Sequence, residues 1–177
     1  MKLQCVFLGV LLCFGLNSAN AGDSNTETAG DVLRIVIPSV AYGATWYTQD
    51  KEGRIQFYKS FLANTVVTFG LKFAIDKERP DGSDLNSFPS GHTSYAMQGA
   101  SFVHLRYGWQ YAVPLYIGAA YVGYSRVYAE KHYELDVLAG ATVGFLSSYF
   151  FTTPYKGVTV TPIANAGFYG LSLEKTW

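Results

Sequence analysis

The chain has 177 residues, and its 13 lysines and arginines balance 13 aspartates and glutamates to a formal net charge of zero. A neutral chain without a visible nucleic-acid motif argues against a nucleic-acid-binding protein. Hydrophobic residues make up 49% of the composition, and this length and composition suit one domain with a sizeable core.

Residues 1–21 are predicted to be a cleaved signal peptide. One positive charge precedes an apolar run over residues 5–16, and Ala19-x-Ala21 is the small-residue pattern of a signal-peptidase site. The apolar run is short for a membrane-spanning helix, although an uncleaved membrane anchor is the alternative. The sequence therefore favours an exported protein.

Both cysteines, Cys5 and Cys13, fall within this predicted signal peptide. The mature chain is then expected to contain no disulfide, no thiolate nucleophile and no thiolate metal site. An exported protein without cysteines fits a bacterial periplasm better than a disulfide-stapled secreted domain. We therefore expect a periplasmic protein that is associated with a membrane.

Apolar runs after a flexible lead-in over residues 22–30 predict an all-α domain over residues 31–154. Asp31 and Ser90 stand where helix N-caps belong, and Pro80 ends the second helix. Charged and polar residues interrupt the first three runs, which favours a compact bundle, soluble or resting against a membrane, over a fully spanning one. The five predicted helices are 32–47, 54–79, 91–107, 109–124 and 133–151.

Residues 155–177 are predicted to form a C-terminal β-hairpin. Val158–Thr161 and Tyr169–Lys175 alternate with a period of two, and Asn165-Ala166-Gly167 lies between them. A lone hairpin is marginal in water. We therefore expect it to pack on the bundle, on a partner or on a membrane.

Two cations are predicted to lie on one face of the second helix. Lys72 and Arg79 are two helical turns apart, which separates them by about 10 Å along the axis. Lys77 and Glu78 lie off that face and are assigned to solvent. The spacing fits either a solvated basic stripe or a pair of side chains that converge on one small anion.

Pro89-Ser90-Gly91-His92 is predicted to begin the third helix. Ser90 offers a hydroxyl, Gly91 lets a ligand approach the backbone, and the first N–H groups of the helix point outward, as in an anion site. His92 lies in that first turn. Taken alone, a histidine at such a position is more often a surface group than a functional one.

The stretch between the fourth and fifth helices is unusually charged for a loop between apolar runs. Arg126 can make a bidentate contact with phosphate oxygens. His132 and Asp136 are four residues apart on one helix face, where the carboxylate could accept one ring N–H and leave the other nitrogen for a substrate. A metal site is weakly supported, because no second histidine is suitably placed and nearby cations would repel a divalent ion.

These groups supply what metal-free phosphoryl transfer requires: cations and helix N–H groups for a phosphate, and two histidines for a nucleophile and an acid. Their pattern resembles the signature of the type 2 phosphatidic acid phosphatase superfamily, which also includes bacterial non-specific acid phosphatases and vanadium haloperoxidases. The resemblance spans residues 72–136 and their helical surroundings. It rests on three segments: Lys72-x6-Arg79-Pro80, Pro89-Ser90-Gly91-His92 and Ser125-Arg126-x5-His132-x3-Asp136.

The resemblance implies a role for each matched residue. His132 would attack phosphorus and become a phosphohistidine, with Asp136 holding its tautomer, and His92 would protonate the leaving oxygen and later help to activate water. No metal or cofactor is implied, so activity should survive EDTA. With His132 neutral and His92 protonated in the free enzyme, kcat/KM should be bell-shaped in pH. The groups implied to hold the phosphate oxygens are Lys72, Arg79, Ser90, the Gly91 amide and Arg126, which Ser125 supports.

As substrate the sequence favours a membrane lipid phosphate or diphosphate, such as phosphatidic acid, phosphatidylglycerol phosphate or undecaprenyl diphosphate. Aromatic residues make up 16% of the chain, and they suit surfaces with one apolar and one wet side. The alternatives are a broad-specificity periplasmic acid phosphatase on small soluble esters, a vanadium-dependent haloperoxidase and a non-enzymatic lipid-binding protein. Against the haloperoxidase, members of that branch are typically much longer than this chain.

Overall fold

Five helices form the part of the chain that carries the motifs, which confirms the all-α prediction. The structure, a computed structural model, describes residues 23–155, 158–165 and 168–175. The predicted signal peptide, residues 1–21, lies outside the described residues. The helices are α1, Asp23–Tyr47; α2, Lys51–Ala74; α3, Gly91–Tyr107; α4, Trp109–Tyr128; and α5, Glu134–Phe151.

Helix α1 begins at Asp23, well before the start predicted at Val32. Helical backbone therefore takes the place of the predicted flexible lead-in from residue 23 onward. This segment has no hydrophobic periodicity, and the contacts that order it are tertiary: the Glu27 carbonyl accepts a hydrogen bond from Arg126 Nη2 at 2.7 Å. Gly30 is buried, and a Cβ there would collide with the side chain of Ser125. The first turns of α1 are thus held against the end of α4.

Helix α2 ends at Ala74 rather than at Arg79, so the prediction that Lys72 and Arg79 share a helical face is wrong. Ile75 adopts an extended conformation and closes the helix. The backbone beyond it pairs with its own loop: Lys77 N donates to the carbonyl of residue 85 at 2.8 Å, and Arg79 N donates to that of residue 84 at 2.9 Å. Pairing within this loop replaces the last helical turn and turns Arg79 away from the axis of α2.

Helix α3 lies at the centre of the bundle and packs on each of the other four helices. Ala96, Ala100 and Phe102 are fully buried along it, and the Phe102 ring meets Phe57 of α2 edge to face at 5.1 Å between centroids. A helix held on all sides is a rigid support. Its N-terminus is therefore a fixed platform for the motif at Ser90–His92.

Helices α3 and α5 approach each other closely at two glycines of α5. A Cβ at Gly140 would collide with the carbonyl oxygen of Ser90, and one at Gly144 would collide with that of Ser94. The absence of side chains here lets the backbones touch. Ser90 N donates to the Asp136 carbonyl at 2.9 Å across this contact. The close packing therefore places Asp136 beside the start of α3.

Large apolar side chains are exposed on the outer faces of α2 and α5. Phe73 of α2 is 88% exposed, and Phe150 of α5 is 73% exposed. Other exposed members of these faces are Leu62, Val66, Phe69, Leu135, Leu138 and Leu146. Those of α2 follow one another at intervals of four, three and four residues, so they share one face of that helix. None of the helices in the described part of the chain has the length and hydropathy needed to cross a membrane.

The backbone of two segments beyond the helices pairs as antiparallel strands. These are β1, Val158–Asn165, and β2, Phe168–Lys175, with Val158 opposite Lys175 and Asn165 opposite Phe168. They lie in the part of the chain where the sequence predicts a hairpin. The use of this hairpin, whether against the bundle, a partner or a membrane, stays a prediction.

Candidate active site

A polar cavity of about 250 Å³ lies beside the N-terminus of α3. It brings together side chains from α1, from the loop after α2, from the first turn of α3, from the last turn of α4 and from the α4–α5 connection. Four of the residues predicted from the sequence line it. The full lining is Glu27, Asp31, Arg34, Arg79, His92, Arg126, Lys131 and His132.

Four predicted residues lie beside the cavity without lining it. Ser90 is fully buried and caps α3, with its hydroxyl 3.0 Å from that of Thr93. Gly91 begins the helix, and a Cβ there would lie 3.9 Å from Lys72 Cε. Lys72 Nζ donates to the carbonyl of residue 86 at 2.6 Å. The fourth, Asp136, is described below with its partners.

The guanidinium of Arg126 is buried and fixed at three of its nitrogens. Nε donates to Ser125 Oγ at 3.1 Å, Nη1 donates to Asp31 Oδ1 at 2.9 Å and Nη2 donates to the Glu27 carbonyl. Burial lowers the pKa of Arg126, and the negative charges of Asp31 and Glu27 oppose this effect. Ser125 thus supports Arg126, and α1 supplies two acceptors that the sequence did not predict.

His92 faces the same carboxylate. Its Nε2 lies 2.8 Å from Asp31 Oδ1. Burial, followed by the positive charges of Arg34 and Arg126, lowers the pKa of His92 to about 4, against the opposing effect of Asp31. A pKa lowered in this way favours the neutral form of His92 at pH 7 in the free protein, whereas the mechanism expected from the sequence requires His92 to be protonated.

His132 is oriented by a backbone carbonyl and not by Asp136. Its Nδ1 lies 2.6 Å from the Ser87 carbonyl oxygen, which can only accept, so Nδ1 carries the proton and Nε2 keeps its lone pair. The predicted hydrogen bond from His132 to Asp136 is wrong. Burial, together with the charge of Lys72, lowers the pKa of His132 to about 4, which keeps this imidazole neutral at pH 7.

Asp136 acts on His132 through Ser87. Its buried carboxylate accepts from Ser87 Oγ at 2.5 Å, from Tyr133 N at 3.0 Å and from Lys77 Nζ at 2.6 Å. Burial alone would raise the pKa of this carboxyl, but the hydrogen bonds from Lys77, Ser87 and Tyr133 hold it below its ordinary value. The same serine that Asp136 binds presents its carbonyl to the histidine.

Lys77 was predicted to point to solvent, and that prediction is wrong. Its side chain is only 33% exposed and it forms an ion pair with Asp136. The prediction assumed that Lys77 lies on a helix, where it would diverge from Lys72. Because α2 has already ended at Ala74, the extended backbone turns Lys77 inward. Glu78, assigned to solvent with it, is exposed.

The charges that line the cavity suit a phosphate. Four cations face two carboxylates, Glu27 and Asp31, which leaves a positive excess close to the roughly −1.5 to −2 charge of a phosphomonoester at pH 7. One of the cations, Arg79, lies 3.3 Å from Asp84 through Nη2. The described residues contain no group of three or more His, Cys, Asp or Glu side chains that could hold a metal ion. The donor set is therefore one for an anion.

Sequence reasoning missed Asp31 as a site residue, and it missed Arg34, Glu27 and Ser87 entirely. One signal was present: Asp31 and Arg34 are three residues apart at the start of an apolar run, so they share a helical face. A charged pair at the start of such a run could have indicated a polar neighbour. The contacts of Glu27 with Arg126 and of Ser87 with His132 are made by backbone carbonyls, which leave no signal in the side-chain sequence.

A histidine whose Nδ1 is bound to a backbone carbonyl and whose Nε2 keeps its lone pair, in a cavity lined by cations, fits the chemistry of phosphoryl transfer. Comparison with known proteins gives the same class. The PAP2 superfamily matches residues 53–157, so the chain belongs to the PAP2 superfamily. It is a phosphatase, a phosphoric ester hydrolase.

Two relatives and one solved structure are similar to this chain. Lipid A 4'-phosphatase of Helicobacter pylori is 34% identical over 169 residues, covering 88% of this chain and 85% of the relative. Lipid A 1-phosphatase of Porphyromonas gingivalis is 44% identical over 79 residues, covering 42% of this chain and 18% of the relative. The crystal structure of Aquifex aeolicus LpxE has a TM-score of 0.55 at 22% identity, covering 81% of this chain and 92% of that one, and shows the shared fold.

Proposed function

We propose that this protein hydrolyses the phosphate monoester of a membrane lipid through a phosphohistidine at His132. The observation that carries the proposal is the hydrogen bond from His132 Nδ1 to the Ser87 carbonyl. It fixes the tautomer and leaves the Nε2 lone pair as a nucleophile in a cavity lined by cations.

The proposed reaction has two steps. In the first, His92 takes a proton from the substrate monoanion, the His132 Nε2 lone pair forms a bond to phosphorus, the ester P–O bond breaks, and the leaving oxygen takes that proton from His92. In the second, His92 accepts a proton from water, the water oxygen attacks phosphorus, and the P–N bond breaks to release phosphate. Arg79 and Arg126 stabilise the phosphoryl oxygens as charge develops on them.

Two kinds of observation support a lipid substrate. The names of both relatives describe phosphatases of lipid A, a phosphorylated lipid. The large apolar side chains exposed along α2 and α5 suit contact with a membrane surface. We propose a phosphate of a lipid A-type glycolipid as the first candidate, ahead of phosphatidic acid, and we propose that the protein is exported.

Hydrolysis of three substrates in detergent tests this proposal. Purified protein is expected to release phosphate from lipid A with a higher kcat/KM than from phosphatidic acid, and from either lipid faster than from p-nitrophenyl phosphate. The release should be unchanged by EDTA. A preference for p-nitrophenyl phosphate over both lipids would contradict the lipid substrate and favour an acid phosphatase on small soluble esters.

We expect kcat/KM for a phosphate monoester to be greatest between about pH 4 and about pH 6. Above pH 4 the lowered pKa of His132 leaves its lone pair available. Free His92 loses its proton near the same pH, so the proton that His92 passes to the leaving oxygen must arrive with the substrate monoanion, which ionises near pH 6. Initial rates across the pH range measure this profile.

Loss of activity through unfolding in acid must be distinguished from this expected pH dependence of kcat/KM. Both histidines have folded pKa values lowered to about 4, below the value of about 6.5 in an unfolded chain. The stability they contribute is complete above about pH 6.5 and is lost as the pH falls through about 4. Circular dichroism at each pH provides the control. A kcat/KM that stays level above pH 6 in folded protein would contradict the proposed source of the proton.

A further inference from the structure

A second cavity lies against the active site on the side of α1. It measures about 470 Å³, within the usual range for small-molecule sites, and opens between α1, α2 and α3. Its walls are mainly aromatic. The rings that line it are those of Tyr42, Phe57, Tyr58, Phe61 and Tyr95.

These rings form one continuous wall. Tyr42 and Phe57 have centroids 5.5 Å apart, Phe57 and Phe61 are 5.9 Å apart, and Phe61 and Tyr95 are 5.2 Å apart. Rings that pack on one another keep their positions without a ligand. The groove is therefore a preformed apolar surface, and not a gap that would close by movement of one side chain.

Arg34 connects the two cavities, because it lines both. Among the described residues no carboxylate forms an ion pair with it, in contrast to Arg126, which is paired with Asp31. Its Nε is buried without a hydrogen-bond partner, and such an unsatisfied donor is costly. Arg34 lies at the boundary between the polar cavity and the aromatic groove. A ligand oxygen bound there could accept the hydrogen bond that Arg34 Nε does not make within the protein.

We propose that Arg34 and the aromatic groove form the subsite for the apolar part of the substrate. The scissile phosphate occupies the polar cavity, the guanidinium of Arg34 binds an oxygen next to it, and an alkyl chain extends into the groove. This inference rests on the proposed function, because it assumes that the polar cavity holds a phosphate ester. It names a substrate class: phosphate monoesters that carry an alkyl chain close to the phosphate.

A series of n-alkyl phosphates from ethyl to octyl tests the groove, because their leaving groups differ only in length. For the wild-type protein kcat/KM is expected to rise with chain length, by up to about fourfold for each methylene buried. Ser39→Phe places a ring in the groove from α1, where Ser39 is exposed along its wall. In this variant kcat/KM should become nearly independent of chain length.

Ala120→Phe is the matched control, since Ala120 is exposed on α4 and lies outside the groove. It should keep the wild-type dependence on chain length. If the wild-type protein hydrolysed these esters with a kcat/KM that did not depend on chain length, the groove would not be the alkyl subsite, but the proposed phosphatase activity would stand. Failure to hydrolyse any member of the series would instead contradict the proposed function.

Arg34→Gln tests the proposed contact between the Arg34 guanidinium and the substrate. It is expected to raise KM for octyl phosphate about tenfold or more, as loss of a hydrogen bond from a charged group does, while the dependence of kcat/KM on chain length is retained. Arg34→Lys should restore part of the affinity. Arg54→Gln, on α2 and outside both cavities, should leave KM unchanged. An unchanged KM in Arg34→Gln would overturn the role of Arg34.

Discussion

Replacing His132 with asparagine is expected to lower kcat at least about 10³-fold, as loss of a catalytic nucleophile does. The asparagine amide can still donate a hydrogen bond near the position of Nδ1 toward the Ser87 carbonyl, which lies 2.6 Å from that atom. It has no basic nitrogen whose lone pair could attack phosphorus, because the lone pair of the amide nitrogen is delocalised. The variant should therefore bind substrate and fold normally while it fails to form a phosphorylated intermediate.

The intermediate is measured by mixing protein with labelled substrate, quenching in alkali, where phosphohistidine is stable, and locating the label by mass spectrometry. His104→Asn is the matched control. His104 lies on α3, 3.1 Å from the Tyr116 hydroxyl, and outside the polar cavity, so its loss should leave kcat unchanged. Label on a residue other than His132, or activity retained in His132→Asn, would contradict the mechanism.

The motif residues could be predicted from the sequence because their chemistry is carried by side chains. His92, Arg126, His132 and Arg79 line one cavity, as the three motifs imply. The partner of each side chain could not be predicted in the same way. A pair at i and i+4, such as His132 and Asp136, shares a face only if the helix includes both, and α5 begins at Glu134.

The same limit explains the end of α2. The sequence placed the end of this helix at Arg79, because Pro80 disfavours helical angles for the residue before it. Nothing in the local pattern indicated an earlier end at Ala74. The actual end is decided by pairing of Lys77 and Arg79 with residues 84–87 of the following loop. Such pairing depends on contacts that a local pattern does not contain. Because of this pairing, Lys77 contacts the buried carboxylate of Asp136 and does not point to solvent as predicted.

Replacing Arg106 with methionine is expected to lower the free energy of unfolding by about 3–5 kcal/mol, the usual cost of breaking a buried ion pair. Arg106 Nε and Nη2 donate to the two oxygens of Asp50 at 2.7 and 2.6 Å, and both side chains are at most 3% exposed. Nη1 also donates to the Thr153 carbonyl at 2.8 Å. The variant would leave Asp50 charged and buried. Thermal unfolding followed by circular dichroism measures the loss, and Lys59→Met, at an exposed site on α2, should change stability by less than about 0.5 kcal/mol.

Activity distinguishes this effect from damage to the site. Arg106 lies at the C-terminal end of α3, about 20 Å along the helix axis from His92, so kcat/KM measured well below the unfolding temperature should remain that of the wild type. Asp50→Asn removes the charge but keeps an oxygen that can accept from Gly53 N, the capping bond of α2. The double variant should therefore be more stable than Arg106→Met alone. If Arg106→Met and the double variant were equally stable, the unpaired charge of Asp50 would not account for the lowered free energy of unfolding. The loss would then come from the missing contacts of Arg106 with the Thr153 and Pro154 carbonyls.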